Sequence, residues 1–343
     1  MGRSDICLKR YLSDESRFAD LINGVIGEGE QLVTATDLTD MDSQVGCRDS
    51  GAELENTVPG VKKRQWQGYR DLLRKVAFGV NFVVIGVEHQ EHSNYLMPLR
   101  CMGYDVREYE RQASIEKAKF RHRKKMRAGN CLGFTSAELL SGVSKDVRLR
   151  PCITIVLYFG EEWDAARSIH ELLDFSEIPE KIKEIVNDYR MYFVDVRKWS
   201  KTDYFTTDLR QVFNCIRYSK DRQRFRKYVL ENAEFKQLDE DAYDVISRYT
   251  NFLHREEVSM RSKREGGKID MCQAVVELME ESKEEGRAEG RAELILDLLK
   301  RIGQISDELF QRVMQERNVE VLCDWAALAV GAKSVAEFEM KIR

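Results

Sequence analysis

Residues 84–92, VIGVEHQEH, set two glutamates, two histidines and a glutamine behind an apolar run. Three chemistries use such side chains. Imidazoles with a carboxylate hold zinc, converging carboxylates hold magnesium, and a salt-bridged polar end simply closes a buried strand. Zinc hydrolases of the HExxH type need two histidines one helical turn apart, with a glutamate after the first. Here His89-Gln90-Glu91-His92 has a spacing of three at a strand end. On a strand His89 points away from the face shared by Glu88 and Gln90. That pattern argues against zinc.

The magnesium reading has better geometry. Phosphodiester hydrolysis needs hard oxygen ligands for a divalent cation that activates water and offsets charge developing on the phosphate. Glu88 and Gln90 are two apart, so they share a strand face. YRDLLRKVAF and FVVIGVEHQ are two β-rich runs separated by GVN, which predicts a tight hairpin. With Gly79 and Val80 as turn residues, Phe78 pairs with Asn81, and counting outward sets Asp71 opposite Glu88. Directly opposed Cβ atoms lie about 4.5–5.5 Å apart, close enough for two carboxylates to share one Mg²⁺. The strand leading in is apolar on both faces, and ionised carboxylates at its end need a cation or partner. Spacing alone leaves the salt-bridged polar strand end open.

The elements around this hairpin follow from pattern. DESRFADLINGVI (14–26) carries Phe18, Leu21, Ile22 and Val25 at helical spacing, with Ser13 or Asp14 as N-cap. Residues 27–60 are rich in Gly, Asp, Thr and Ser and read mostly as loop. After the hairpin, MPLRCMGYDVREYERQ predicts a helix with Pro98 in its first turn and Leu99, Met102, Val106 and Tyr109 as its buried face. Residues 113–150 read as an insertion containing KAKFRHRKKMR (117–127), with seven Lys or Arg in eleven positions and no acid. PCITIVLYFG (151–160) and MYFVDVRKW (191–199) predict strands, WDAARSIHELLD and PEKIKEIVNDY predict helices, and everything beyond 205 reads as helical. The repeat EEGRAEGRAE places Glu285, Glu289 and Glu293 on one solvated stripe of a helix or weak coiled coil.

Composition sets the outer limits. The chain has 343 residues, 43% hydrophobic and 33% charged, with a net charge of −4, so any basic site must come from local clustering. Eight cysteines are scattered without CxxC or CxH pairing, which argues against a zinc knuckle or disulfide framework and fits a reduced, cytoplasmic chain. No apolar stretch is long enough for a signal peptide or a membrane span, so no membrane partner is expected.

Several motifs together resemble one family. Tyr69-Arg70-Asp71, Glu88-x-Gln90, Met97-Pro98-x-Arg100 and Tyr104-Asp105 are similar to the core of the bacterial Rpn/YhgA-like group, the PD-(D/E)XK nuclease family transposases, or recombination-promoting nucleases. PCITIVLYFGEEWDAARSIHELLD and the late EGRA repeat extend the likeness over roughly residues 14–300. The resemblance implies an α/β fold: a restriction-endonuclease-like core, with a mixed sheet flanked by helices, and a helical C-terminal region. It implies a catalytic domain over 10–200, a helical extension over 201–270 and a charged helical tail over 271–343. It implies Mg²⁺- or Mn²⁺-dependent cleavage of double-stranded DNA, with Asp71 in the place of the motif aspartate, Glu88 in that of the (D/E), and Gln90 where the motif lysine usually stands.

Lysine would bring a full charge to the water or oxyanion, whereas an amide only orients water or donates a neutral hydrogen bond. His89 replaces the usual Asn, and its backbone carbonyl remains a metal-ligand candidate. Glu15 and Asp20 on the first helix are candidates for an extra acid. Arg100, Tyr104, Arg107 and Arg111 step along the next helix as a phosphate-gripping stripe. Lys117, Lys119, Arg121, Arg123, Lys124, Lys125 and Arg127 would add salt-sensitive DNA affinity. One core strand expected before the hairpin is not visible in residues 27–66. The rival reading, motivated by Gln90 and His89, is a catalytically silent DNA-binding or assembly protein that forms homo-oligomers through its C-terminal helices.

Overall fold

The computed structural model describes residues 3–41, 72–78, 81–126, 133–250, 263–264 and 267–342. It divides into two compact units, Met1–Tyr228 with Leu238–Phe252, and Val229–Gln237 with Leu253–Arg343. The extension expected over 201–270 is therefore split, and most of it belongs with the sheet. The chain is mixed α/β, with a five-stranded mixed sheet flanked by helices and a helical C-terminal region.

The first unit begins with helices α1 (Arg3–Leu12) and α2 (Glu15–Val25). Asp14 caps α2 by accepting the Arg17 amide, and the predicted stripe Phe18, Leu21, Ile22 and Val25 is buried. The strands are β1 (Leu38–Asp40), β2 (Leu72–Phe78), β3 (Asn81–Gln90), β4 (Cys152–Tyr158) and β5 (Tyr192–Asp195), lying in that order across the sheet. β1 to β3 form an antiparallel meander, and β3, β4 and β5 run parallel. The parallel β3–β4 step needs a long crossover, which α3 (Met97–Met126) and the short α4 (Ser136–Ser141) supply. β1 is the strand that sequence pattern does not reveal: only Leu38, Thr39 and Asp40 pair, opposite Val76, Lys75 and Arg74. Arg74 is itself buried, ion-paired with Asp40 at 2.9 Å, bonded to the Ser13 carbonyl and set over the Phe18 ring.

β3 is central, which accounts for a strand apolar on both faces. One face is covered by α3, where Met97 and Cys101 pack with Val156, Tyr158, Trp163 and Met191. The other holds β2 to α2 through Arg74 and Phe18, and β5 to the end of α2 through the Tyr192 hydroxyl, which donates to the Val25 carbonyl at 2.7 Å.

The helix α3 corrects an expectation. Leu99 is 52% exposed, and Met102 and Val106 also face solvent, while the buried side carries Cys101, Tyr104, Asp105, Glu108 and Gln112. The sheet surface beneath is polar at matching points. Thr154 on β4 donates to Asp105 at 2.8 Å, the Tyr189 hydroxyl donates to the same carboxylate at 2.7 Å, and Gln112 accepts the Arg150 amide at 2.7 Å. Buried polar groups stay where they find such partners, and here they set the rotation of the helix.

Two further expectations fail. The segments read as helices over 163–189 contain only α5 (Glu180–Lys183); the rest is turns organised around His170. Its Nε2 bonds to the Val186 carbonyl at 2.7 Å and its amide donates to Asp188, while Ser168 bridges Arg190. The chain beyond 205 is not wholly helical. After α6 (Leu209–Arg217), α7 (Arg222–Glu231) and α8 (Glu240–Thr250), the strands Lys263–Arg264 and Lys268–Ile269 pair antiparallel.

In the second unit the EGRA repeat lies on a 32-residue helix, Met271–Ile302. Glu285, Glu289 and Glu293 are exposed as expected, and Ala288, Ala292, Ile295 and Leu299 pack against Leu309, Leu322, Trp325 and Phe338. Among the described residues no helix is long and apolar enough to cross a membrane.

Candidate functional site

The hairpin register is the one counted from the sequence: Phe78 pairs with Asn81, and the last described pair is Leu72 with Val87. The expected partner of Glu88, Asp71, lies outside the described residues, as do Tyr69 and Arg70. Glu88 is 2% exposed, and the Gln90 amide on the same strand face donates to its Oε1 at 3.4 Å. His89 turns to the opposite face. Its Nε2 hydrogen-bonds with the Tyr249 hydroxyl of α8 at 2.6 Å, and its ring packs against Phe159, which stacks on Tyr249. The Gln90 carbonyl accepts the Phe159 amide, on the β4 side. By strand alternation the His89 carbonyl faces the β2 side.

Two α3 residues converge on Glu88. Arg100 Nη2 lies 2.7 Å from Glu88 Oε1, and its Nε donates to the Tyr104 hydroxyl at 2.6 Å. Tyr104 donates in turn to Glu88 Oε1 at 3.5 Å. Burial, reinforced by the Glu88 charge, pushes the Tyr104 phenol up to about 12. Tyr104 is therefore no part of an exposed stripe; at 4% exposure it belongs to the shell of the carboxylate. Arg107 is half-buried, 5.9 Å from the Tyr104 ring. Arg111 is held by both oxygens of Glu108 at 2.7 Å, a carboxylate only 1% exposed.

The basic run is no loop. It continues α3 to Met126, with Lys117, Lys119, Arg121, Arg123 and Lys125 exposed and Lys124 half-exposed; Arg127 lies outside the described residues. Phe120, the aromatic inside the run, is buried against Phe134 at 4.9 Å and anchors this part of the helix. Lys119 is paired with Glu116 at 2.7 Å.

Of the two candidate extra acids, Glu15 is exposed in the first turn of α2. Asp20 is buried and occupied elsewhere: it accepts the amides and hydroxyls of both Thr206 and Thr207 at 2.6–3.0 Å. That arrangement ties α2 to the segment leading into α6. The residues that sequence reasoning left unassigned are supports: Asp105, Thr154 and Tyr189, which fix α3, and Tyr249, which holds His89. Only Asp105 carried a signal, as the second residue of Tyr104-Asp105.

Among the described residues no three His, Cys, Asp or Glu side chains cluster. The oxygens of Glu88 and Gln90 are hard donors on one face, and Glu88 already draws a cation, the Arg100 guanidinium, to its edge. A position that holds positive charge against a buried carboxylate fits an oxygen-preferring divalent metal. The chain matches none of the protein families, curated proteins or solved structures with which it was compared.

Proposed function

We propose that the chain is a Mg²⁺-dependent DNA endonuclease with a PD-(D/E)XK-like core, of the transposase or recombination-promoting type. The observation that carries the reading is the hairpin register, which brings Glu88 and Gln90 to one face at the end of a buried central strand, one position beyond Leu72–Val87. The order of elements supports it: a helix, a three-stranded meander, a crossover helix and a parallel strand. Glu88, Asp71 and the His89 carbonyl would hold Mg²⁺ or Mn²⁺. The metal supplies activation of water and neutralisation of charge on the phosphate. Gln90 orients the attacking water by hydrogen bonding, and Arg107 with the basic half of α3 holds the DNA backbone. A 30-residue helix is about 45 Å long, enough to follow roughly one turn of duplex from the carboxylate to the basic end. The test is nicking of supercoiled plasmid with Mg²⁺ and its arrest by EDTA. Undiminished cleavage by a folded Glu88→Gln protein would remove the site from the reaction.

One observation favours a second reading, a catalytically silent DNA-binding or assembly protein. Glu88 is already neutralised by Arg100, and Gln90 brings no charge to the site. The exposed Leu294, Val330 and Met340 of the C-terminal unit offer apolar surface for self-association. DNA binding unaffected by divalent metal, without cleavage, would select this reading.

A further inference from the structure

Arg100 is placed to do two things that exclude each other. Its guanidinium neutralises Glu88 at 2.7 Å and is braced by the Tyr104 hydroxyl, yet the side chain is 39% exposed. It stands at the boundary between a buried carboxylate and solvent, one end of a helix whose exposed residues from 117 to 125 are mostly basic. The geometry points to Arg100 as a coupling residue: it serves as the resident cation of Glu88 in metal-free protein and becomes a DNA-phosphate ligand once Glu88 is taken by a divalent cation.

The argument is electrostatic and rests on the nuclease reading above. A carboxylate buried to 2% keeps a positive charge beside it in every state. While Arg100 provides that charge, its donors are spent on Glu88 and Tyr104. When Glu88 turns to a doubly charged ion, the guanidinium faces like charge and loses its acceptor. The phosphate drawn to the same ion then offers two oxygens in the geometry the guanidinium fork prefers. Metal and DNA thus bind cooperatively through one side chain. By linkage each raises the affinity of the other by the same factor. The device also keeps the protein from gripping DNA at this point before the ion is in place.

The test uses the full chain, a fluorescent duplex of about 20 base pairs and anisotropy across a NaCl series, in EDTA or in Ca²⁺. Free divalent ions compete for DNA phosphates and by themselves weaken binding, so a Ca²⁺-dependent rise in affinity is diagnostic. Wild type is expected to bind of order tenfold tighter in Ca²⁺, the strength of one charge-assisted hydrogen bond, with the slope of log K against log[NaCl] steeper by about 0.9 for one added phosphate. Arg100→Gln loses both effects, Arg100→Lys keeps the rise, and Arg123→Gln weakens the EDTA and Ca²⁺ arms alike. Wild type that binds DNA and Ca²⁺ independently, or Arg100→Gln that keeps the rise, overturns the coupling and leaves the nuclease reading standing. Wild type that binds no DNA in either arm overturns both.

Discussion

Replacing Thr154 by valine probes what holds α3 over the candidate site. Thr154 Oγ1 donates to Asp105 at 2.8 Å with both residues buried. A hydrogen bond to a carboxylate contributes about 1.5–3 kcal/mol, and valine, of the same shape, leaves no cavity but regains about 0.8 kcal/mol from the buried methyl. The net cost is about 1–2 kcal/mol. Because two units need not unfold together, the suitable assay is native-state hydrogen exchange on the full chain, read by mass spectrometry. Protection in peptides covering 97–112 and 152–158 should fall about five- to thirty-fold, the same free energy expressed as an opening constant. Tyr189→Phe, whose hydroxyl donates to the same carboxylate at 2.7 Å from a half-exposed ring, should cost less. The double variant should cost more than the sum, since the donors share one acceptor group. A change below twofold in Thr154→Val would refute the argument that buried polar contacts, not apolar packing, fix the helix.

Asp20→Ala strips the acceptor from the Thr206 and Thr207 amides and hydroxyls and should destabilise the fold by about 3 kcal/mol, seen as a lower melting temperature, while plasmid cleavage per folded molecule is preserved. Tyr104 ionises near 12 in the folded chain against 10.0 in its ordinary state, so its contribution to stability is whole below pH 10 and disappears as pH rises through 12. With a discount for partial solvent access the loss is about 1–2 kcal/mol, and Tyr104→Phe should remove both that loss and the last-titrating tyrosinate absorbance. Neutralising Arg121, Arg123 and Lys125 together should flatten the salt dependence of DNA binding by up to about 0.9 for each phosphate no longer neutralised, uniformly across sequences; an unchanged slope would take this helix out of the interface.

The hairpin was readable because two β-rich runs flank a turn signal and the register follows from counting; Phe78–Asn81 is where the count begins. β1 was not readable because Leu-Thr-Asp is too short for alternation and sits in a polar stretch. α3 was placed by its length but turned the wrong way. The apolar rule puts Leu99, Met102 and Val106 inside, whereas Glu88, Thr154 and Tyr189 on the sheet side select the polar face. The false helices at 163–189 arose from a 3.6-residue period in Ile169, Leu172 and Leu173 that turns anchored by His170 satisfy equally well. At the site, the shared face of Glu88 and Gln90 was legible from period two alone. The Arg100–Glu88 pair was not, since it depends on how α3 is rotated.

The central claim is that Glu88, with Asp71, holds one divalent cation at the end of β3. Titrating Mn²⁺ into the full chain and following free Mn²⁺ by paramagnetic resonance tests this without reference to activity. Wild type is predicted to show one site per chain that disappears in both Glu88→Gln and Asp71→Asn. Stoichiometric Mn²⁺ binding that survives in folded Glu88→Gln would contradict it.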